Sequence, residues 1–233
     1  MRSWLGTLAA LVTFGAALAA PAAADPSGSA SLDGGEAKLG PAHGPGVPGT
    51  ALSPDHFGVL AGSADAPVQL EIFCDPQCSE CAKFEAASGD ALGRHLAAGD
   101  VTVTYRWMTF LDARRDNDTS ARVGNALMAA ADPVTPAASY QTFVNELYRK
   151  GATPNLEDIA TTARESGLPA HVVDRIAEGQ PAVEPTSMNA FNRVQLLAAN
   201  PESPGTPTVY DLATRTVVDT DDAGWLDRLV QER

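Results

Sequence analysis

A chain of 233 residues with a net charge of −13 and three cysteines is too acidic to seek nucleic acid or an anionic membrane surface. Three cysteines are also too few for a disulfide-stapled scaffold. No GxSxG, HExxH, P-loop or Rossmann fingerprint occurs in it, so the familiar hydrolase, zinc-protease and nucleotide-binding signatures are missing.

The chain opens with Arg2, then an uncharged and largely apolar run from Trp4 to Ala20, then Ala22-Ala23-Ala24. This order predicts a secretory signal peptide over residues 1–24. The alternative is a retained N-terminal anchor, because the run reaches the shortest spanning length. Either way the expected location is exported: periplasm, cell envelope or secreted, with membrane contact only if that segment is retained. Disulfides persist in such compartments. Residues 25–54 are rich in Gly, Pro, Ala and Ser and predict a flexible linker, since they bury too little to offset their ordering entropy. Residues 55–233 are then one domain.

Within it, Val68, Leu70 and Ile72 alternate and predict a strand over 67–74. Cys81, Phe84, Leu92 and Leu96 fall on one stripe of a helix running from Ser79 to about Ala97, with Gly89 expected to kink or interrupt it. His95 is expected on a solvated face. Val101, Val103, Tyr105 and Trp107 alternate as a second strand, which completes a βαβ unit. Helical spacing or start signals follow at 119–131, 137–149, 155–166, 169–178 and 187–199. Pro207 opens a strand over 207–211 and Thr216–Asp219 makes a second, so the pair reads as a hairpin. Asp222–Gln231 closes the chain as a helix.

The chemistry lies at Cys78-Ser79-Glu80-Cys81. Two thiols separated by two residues at a helix start can close a small disulfide, and the helix end favours the thiolate of the first. Such a pair is suited to gaining and losing two electrons.

The element order, together with Phe73-Cys74-Asp75-Pro76-Gln77-Cys78-Ser79-Glu80-Cys81-Ala82-Lys83-Phe84 and the downstream Gly205-Thr206-Pro207-Thr208-Val209, resembles the DsbA-type branch of the thioredoxin superfamily. The resemblance runs from about Val68 to Leu229. It implies an α/β thioredoxin fold (βαβ…ββα) with an all-helical subdomain inserted at about 115–200. It also implies that Cys78 is the exposed nucleophile and Cys81 the buried resolving thiol. Pro207 would follow a cis bond and face the pair, and the Thr206 backbone would dock an extended substrate segment. The expected function is an exported thiol–disulfide oxidoreductase that forms, reduces or isomerises disulfides in exported proteins. It needs no organic cofactor. Its partners are thiol- or disulfide-containing exported proteins and a redox partner that recycles the pair.

This chain departs from the family pattern in two places. Ser79-Glu80 stands where DsbA-type oxidases carry Pro followed by an aromatic or His. A negative charge at Glu80 raises a nearby thiol pKa and so makes a milder oxidant. Glu80 also reads simply as an acid favourable to the first helical turn. Six residues before Cys78, where many relatives bury an acid, stands Ile72. Strand alternation turns its neighbour Glu71 to the other face, so proton transfer to Cys81 falls to water or to Glu71 after a local bulge.

Cys74 is the odd thiol. It reads as an inert core cysteine, as a second resolving thiol that competes with Cys81, or as part of a copper site. In the last reading Cys74 and Cys78 resemble the thiolate pair of Sco-type copper proteins, which suits Cu(I). A copper-binding or delivery protein is therefore the alternative function, although His43, His56, His95 and His171 offer no obvious further ligand. No metal is expected in the main reading.

Overall fold

The computed structural model describes residues 48–151 and 153–233. The expected signal peptide, most of the expected linker and His43 lie outside the described residues. Among the described residues, no helix is long and apolar enough to cross a membrane.

The first half builds the expected βαβ unit. Strand β3 (Val68–Cys74) pairs in parallel with β4 (Val101–Trp107) in one continuous register, from Val68 opposite Val101 to Cys74 opposite Trp107. Helix α1 (Ser79–Ala98) is the crossover between them. Two strands precede this unit. β1 (Thr50–Leu52) pairs antiparallel with β2 (Val59–Gly62), and β2 pairs antiparallel with β4. The last strands, β5 (Thr208–Asp211) and β6 (Thr216–Val217), form the expected hairpin, with β5 antiparallel to β3. The sheet order is β1-β2-β4-β3-β5-β6.

β1 corrects the linker expectation at its end. Thr50 and Ser53 are buried, and the Thr50 hydroxyl donates to the Asp132 carbonyl at 3.0 Å. The Ala137 N–H donates to the Pro48 carbonyl at 2.9 Å. A composition poor in large apolar residues does not prevent a short strand when long-range partners satisfy its backbone.

Six helices lie between β4 and β5: α2 (Phe110–Arg115), α3 (Thr119–Ala129), α4 (Ala137–Lys150), α5 (Leu156–Glu165), α6 (Ala170–Ala177) and α7 (Pro185–Ala199). Five match the expected segments. α2 is additional, and none of its residues is buried. The closing helix α8 (Trp225–Gln231) starts three residues later than expected. The block is not a detached lobe. Tyr140, Phe143 and Val144 of α4 join Cys81, Leu92 and Leu96 of α1 and Leu70, Ile72 and Cys74 of β3 in one core. Leu196 of α7 packs with Phe73 and Met108 in a smaller cluster. Alternation along β3 puts Val68, Leu70, Ile72 and Cys74 in the first cluster and Phe73 in the second.

Gly89 does not interrupt α1, which is continuous to Ala98. The glycine serves a close approach instead. A Cβ there would sit 2.9 Å from Asn145 Nδ2 of α4 and 3.1 Å from Glu85 Oε2. His95 is not on a solvated face either. Its ring is bracketed by Asp100 (Nδ1, 3.0 Å) and Asp227 (Nε2, 2.7 Å), and it fixes the C-terminal end of α1 to α8. Burial of the ring lowers its pKa, but the two carboxylates outweigh burial and the net shift is upward.

Candidate active site

Cys78 is the N-cap of α1, with extended backbone at φ −78° and ψ 121°. Its N–H donates to the Asp75 carbonyl at 2.8 Å, and its own carbonyl accepts from the Ala82 N–H at 3.1 Å. The side chain is half-buried, whereas Cys81, one turn inside, is completely buried. All three cysteines are free thiols. The Cys78 Sγ donates to the Thr206 carbonyl at 3.3 Å. The Thr206–Pro207 peptide bond is cis, and both residues are half-buried. The structure therefore brings four of the expected site residues together: Cys78, Cys81, Thr206 and Pro207.

Ser79 and Glu80 are exposed. Glu80 turns away to an exposed ion pair with Lys83 at 2.8 Å, where solvent screens its charge. The Cys78 thiol pKa is held up, first by its hydrogen bond with Cys81 and then by burial. A side-chain hydrogen bond from Thr206 and the Cys81 backbone act the other way. Glu80 is not among the leading causes. The Cys81 thiol is also pushed up, chiefly by burial.

Glu71 is excluded as a proton acceptor for Cys81. The register of β3 shows no bulge, and Glu71 Oε1 accepts from Arg106 Nη2 at 2.8 Å on the opposite face. Arg106 also pairs with Asp55 at 2.8 Å.

Sequence reasoning missed three features. The first is Glu85, one turn beyond Cys81 on the α1 stripe and 1 % exposed. Its Oε2 accepts from Gln141 Nε2 at 2.6 Å, while its Oε1 has no partner. Burial pushes its carboxyl up to about 8. The signal was the spacing Cys81, Phe84, Glu85, Ser88, Leu92, in which an acid occupies a core position. The second is Asp75, fully buried in the loop before the thiols. Its carboxylate accepts from Gln77 N (2.9 Å), Ser120 Oγ (2.6 Å) and Leu111 N (3.0 Å). It ties the active-site loop to α2 and α3. The third is Tyr148 of α4, whose hydroxyl donates to the Asp75 carbonyl at 3.0 Å.

Cys74 ends β3 and is 1 % exposed. It belongs to the same packed core as Cys81. Among the described residues, no group of three or more His, Cys, Asp and Glu side chains is arranged to hold a metal ion. His95 and His171 are engaged by carboxylates, Asp132 in the case of His171.

The comparisons agree with this geometry. A family model described as thioredoxin matches residues 56–211. Among solved structures, the chain is similar to the MdbA thiol-disulfide oxidoreductase from Corynebacterium matruchotii, with TM-score 0.65 and 21% identity over 78% of this chain and 91% of that one. It is also similar to reduced DsbA from Mycobacterium tuberculosis, with TM-score 0.58 and 20% identity over 75% of this chain and 91% of that one. Reduced DsbG from the same organism superposes with TM-score 0.55 and 22% identity, over 81% and 88% of the two chains. Among curated proteins, the serine/threonine-protein kinase PknE of M. tuberculosis is 28% identical over 188 residues, which is 74% of this chain. The chain spans only 31% of that kinase's length. At these identities the solved structures speak to the fold, and it is the expected one: a thioredoxin fold of DsbA type with an inserted helical block. With the family model matched over most of the domain, the chain belongs to the thioredoxin family.

Proposed function

We propose that the protein is a thiol–disulfide oxidoreductase that acts through Cys78 and Cys81 on exported proteins. The observation that carries this reading is the placement of Cys78, half-exposed at the start of α1 with its thiol against the Thr206 carbonyl, above a fully buried Cys81. In the oxidising direction, a substrate thiolate attacks Cys78 Sγ and the Cys78–Cys81 bond breaks. A mixed disulfide forms at Cys78 while Cys81 leaves with the electron pair and takes up a proton. A second substrate thiolate then displaces Cys78, which leaves the substrate oxidised and the enzyme reduced. In the reverse direction Cys81 resolves the mixed disulfide.

Thr206 and Pro207 serve as the docking edge for an extended substrate segment in this reading. Export rests on the segment from Arg2 to Ala24. The upward shift of the Cys78 thiol supports a couple milder than that of a strong oxidase, because a destabilised thiolate makes the disulfide harder to reduce.

The test is titration of the purified protein against glutathione buffers, with each cysteine's state mapped by alkylation and mass spectrometry. The expected result is a reversible Cys78–Cys81 couple. A midpoint near about −120 to −180 mV marks a disulfide donor or isomerase, and one near about −270 mV a reductant. A pair that never exchanges with glutathione overturns the reading.

A further inference from the structure

Helix α2 stands beside the active-site loop, although it buries none of its own residues. Two hydrogen bonds hold it there. The Leu111 N–H donates to Asp75 Oδ2 at 3.0 Å. Gln77 Nε2, one residue before Cys78, donates to Asp112 Oδ1 at 2.7 Å. Phe110, the first residue of α2, is half-buried against the cluster of Phe73, Met108 and Leu196. Phe73 pairs with Thr208 across β3 and β5, so the cluster links α2 to the residue after Pro207. Cys78 is tied to both sides, to α2 through its neighbour Gln77 and to Thr206 through its own sulfur.

The acids around this site are engaged by the protein itself. Asp75 accepts from three donors. Asp112 accepts from the Ser120 and Ala121 N–H groups at 2.7 and 2.9 Å, besides Gln77. Glu80 pairs with Lys83, and Asp118 with Arg122. The cations of α2 are not engaged in this way. Arg114 and Arg115 are exposed, and among the described residues neither forms an ion pair. The Arg114 guanidinium lies over the Phe110 ring, 5.6 Å from its centroid. Stacking of that kind holds a guanidinium in place and leaves its N–H donors free for a carboxylate. Asp116, exposed beside them, offsets at most one of the two charges.

We propose that Arg114 and Arg115 are specificity-determining residues, which favour exported substrates carrying an acidic stretch beside the reacting cysteine; this rests on the oxidoreductase reading above. A segment docked on the Thr206 edge with its sulfur at Cys78 passes α2, where the fork of Arg114 receives a carboxylate. The net charge of −13 does not oppose this at close range. At physiological ionic strength charges more than about 8 Å away are largely screened, so a docking segment meets the local pair of cations. On the other flank the exposed Glu202 precedes Thr206. The two ends of the docking edge therefore differ in sign, and the preference depends on which side of the cysteine the acids stand.

The test follows the opening of the Cys78–Cys81 bond of the full oxidised chain by peptides that each carry one cysteine. The peptides are acetylated and amidated, with glutamates before the cysteine, glutamates after it, or glutamines or lysines in both places. Loss of the bond is read by acid quench, alkylation and intact mass. Each rate is divided by the same peptide's rate with hydroxyethyl disulfide, which cancels the effect of flanking charge on the peptide thiol. One glutamate placement should react on the order of fivefold faster than the glutamine peptide, as two exposed ion pairs allow, and the lysine peptide should be slowest. The preference should vanish in Arg114→Gln/Arg115→Gln, persist in Arg114→Lys/Arg115→Lys, and shrink as salt is raised to about 1 M. Equal rates for all peptides in the wild-type protein overturn the inference, and so does a preference that survives in the glutamine variant. If the bond forms but neither glutathione nor any peptide opens it, the oxidoreductase reading fails and this inference fails with it. If glutathione and the peptides all open it without regard to charge, only the inference fails.

Discussion

Replacing Glu85 by glutamine should stabilise the reduced protein by an amount that grows with pH. Burial raises the folded carboxyl from its ordinary 4.5 to about 8. Below pH 4.5 the group is protonated in both states and contributes nothing. Between 4.5 and 8 the unfolded chain ionises while the folded one keeps its proton. The unfolded state then binds fewer protons, so stability falls as pH rises through this window. Each pH unit is worth about 1.4 kcal/mol. The accumulated penalty is about 3 kcal/mol at neutral pH and reaches a ceiling of about 5 kcal/mol above pH 8. Glutamine keeps the shape and the acceptor for Gln141 Nε2 at 2.6 Å, and its amide faces the position where Glu85 Oε1 has no partner. It removes the ionisation and little else. The assay is urea unfolding of both proteins, thiols reduced, from pH 4 to pH 8. The wild-type deficit should widen steadily across that range. A difference between the two proteins that does not change with pH refutes the reasoning, because it would mean the folded and unfolded carboxyls titrate alike.

Four further outcomes are expected. Cys81→Ser should accumulate a glutathione mixed disulfide at Cys78 in oxidised glutathione, and Cys78→Ser should not, as read by intact mass. His95→Gln should lower the Tm at pH 5 but have little effect at pH 9. The raised His95 pKa supplies stability that is complete below the ordinary 6.5 and lost as pH rises through the folded value. Arg106→Met should cost about 3 kcal/mol in urea unfolding, since it leaves Glu71 and Asp55 without their cation in a largely buried site. Asp75→Ala should cost on the order of 3 kcal/mol by stranding Ser120 Oγ and two backbone N–H groups. By loosening the loop before the thiols it should also speed alkylation of reduced Cys78.

What could be read in the sequence was whatever repeats over a window longer than a turn. β3 and β4 alternate for seven residues each, and five of the inserted helices carry a stripe or a cap. β1 and β2 have three and four residues, too few for a period to emerge, and β1 exists because Thr50 finds Ala130 and Asp132 far along the chain. α2 buries nothing, so it leaves no apolar stripe to detect. Gly89 was misread for a related reason: its cause is α4 across the interface, not the helix it occupies.

The same distinction separates the parts of the site. Cys78, Cys81, Thr206 and Pro207 belong to two short motifs, and a motif is local. What sets the behaviour of those thiols comes from elsewhere in the fold. Glu80, the one charge adjacent in sequence, points to solvent and Lys83. Burial acts on both thiols, and the Thr206 carbonyl, from the far half of the chain, receives the Cys78 thiol. A residue between the cysteines therefore tunes this pair less than its position suggests, and substitutions at Glu80 should move the potential little. A Glu80→His protein whose midpoint moves by tens of millivolts in the glutathione titration, roughly a tenfold change in the equilibrium, would show that adjacency in sequence outweighs solvent exposure here.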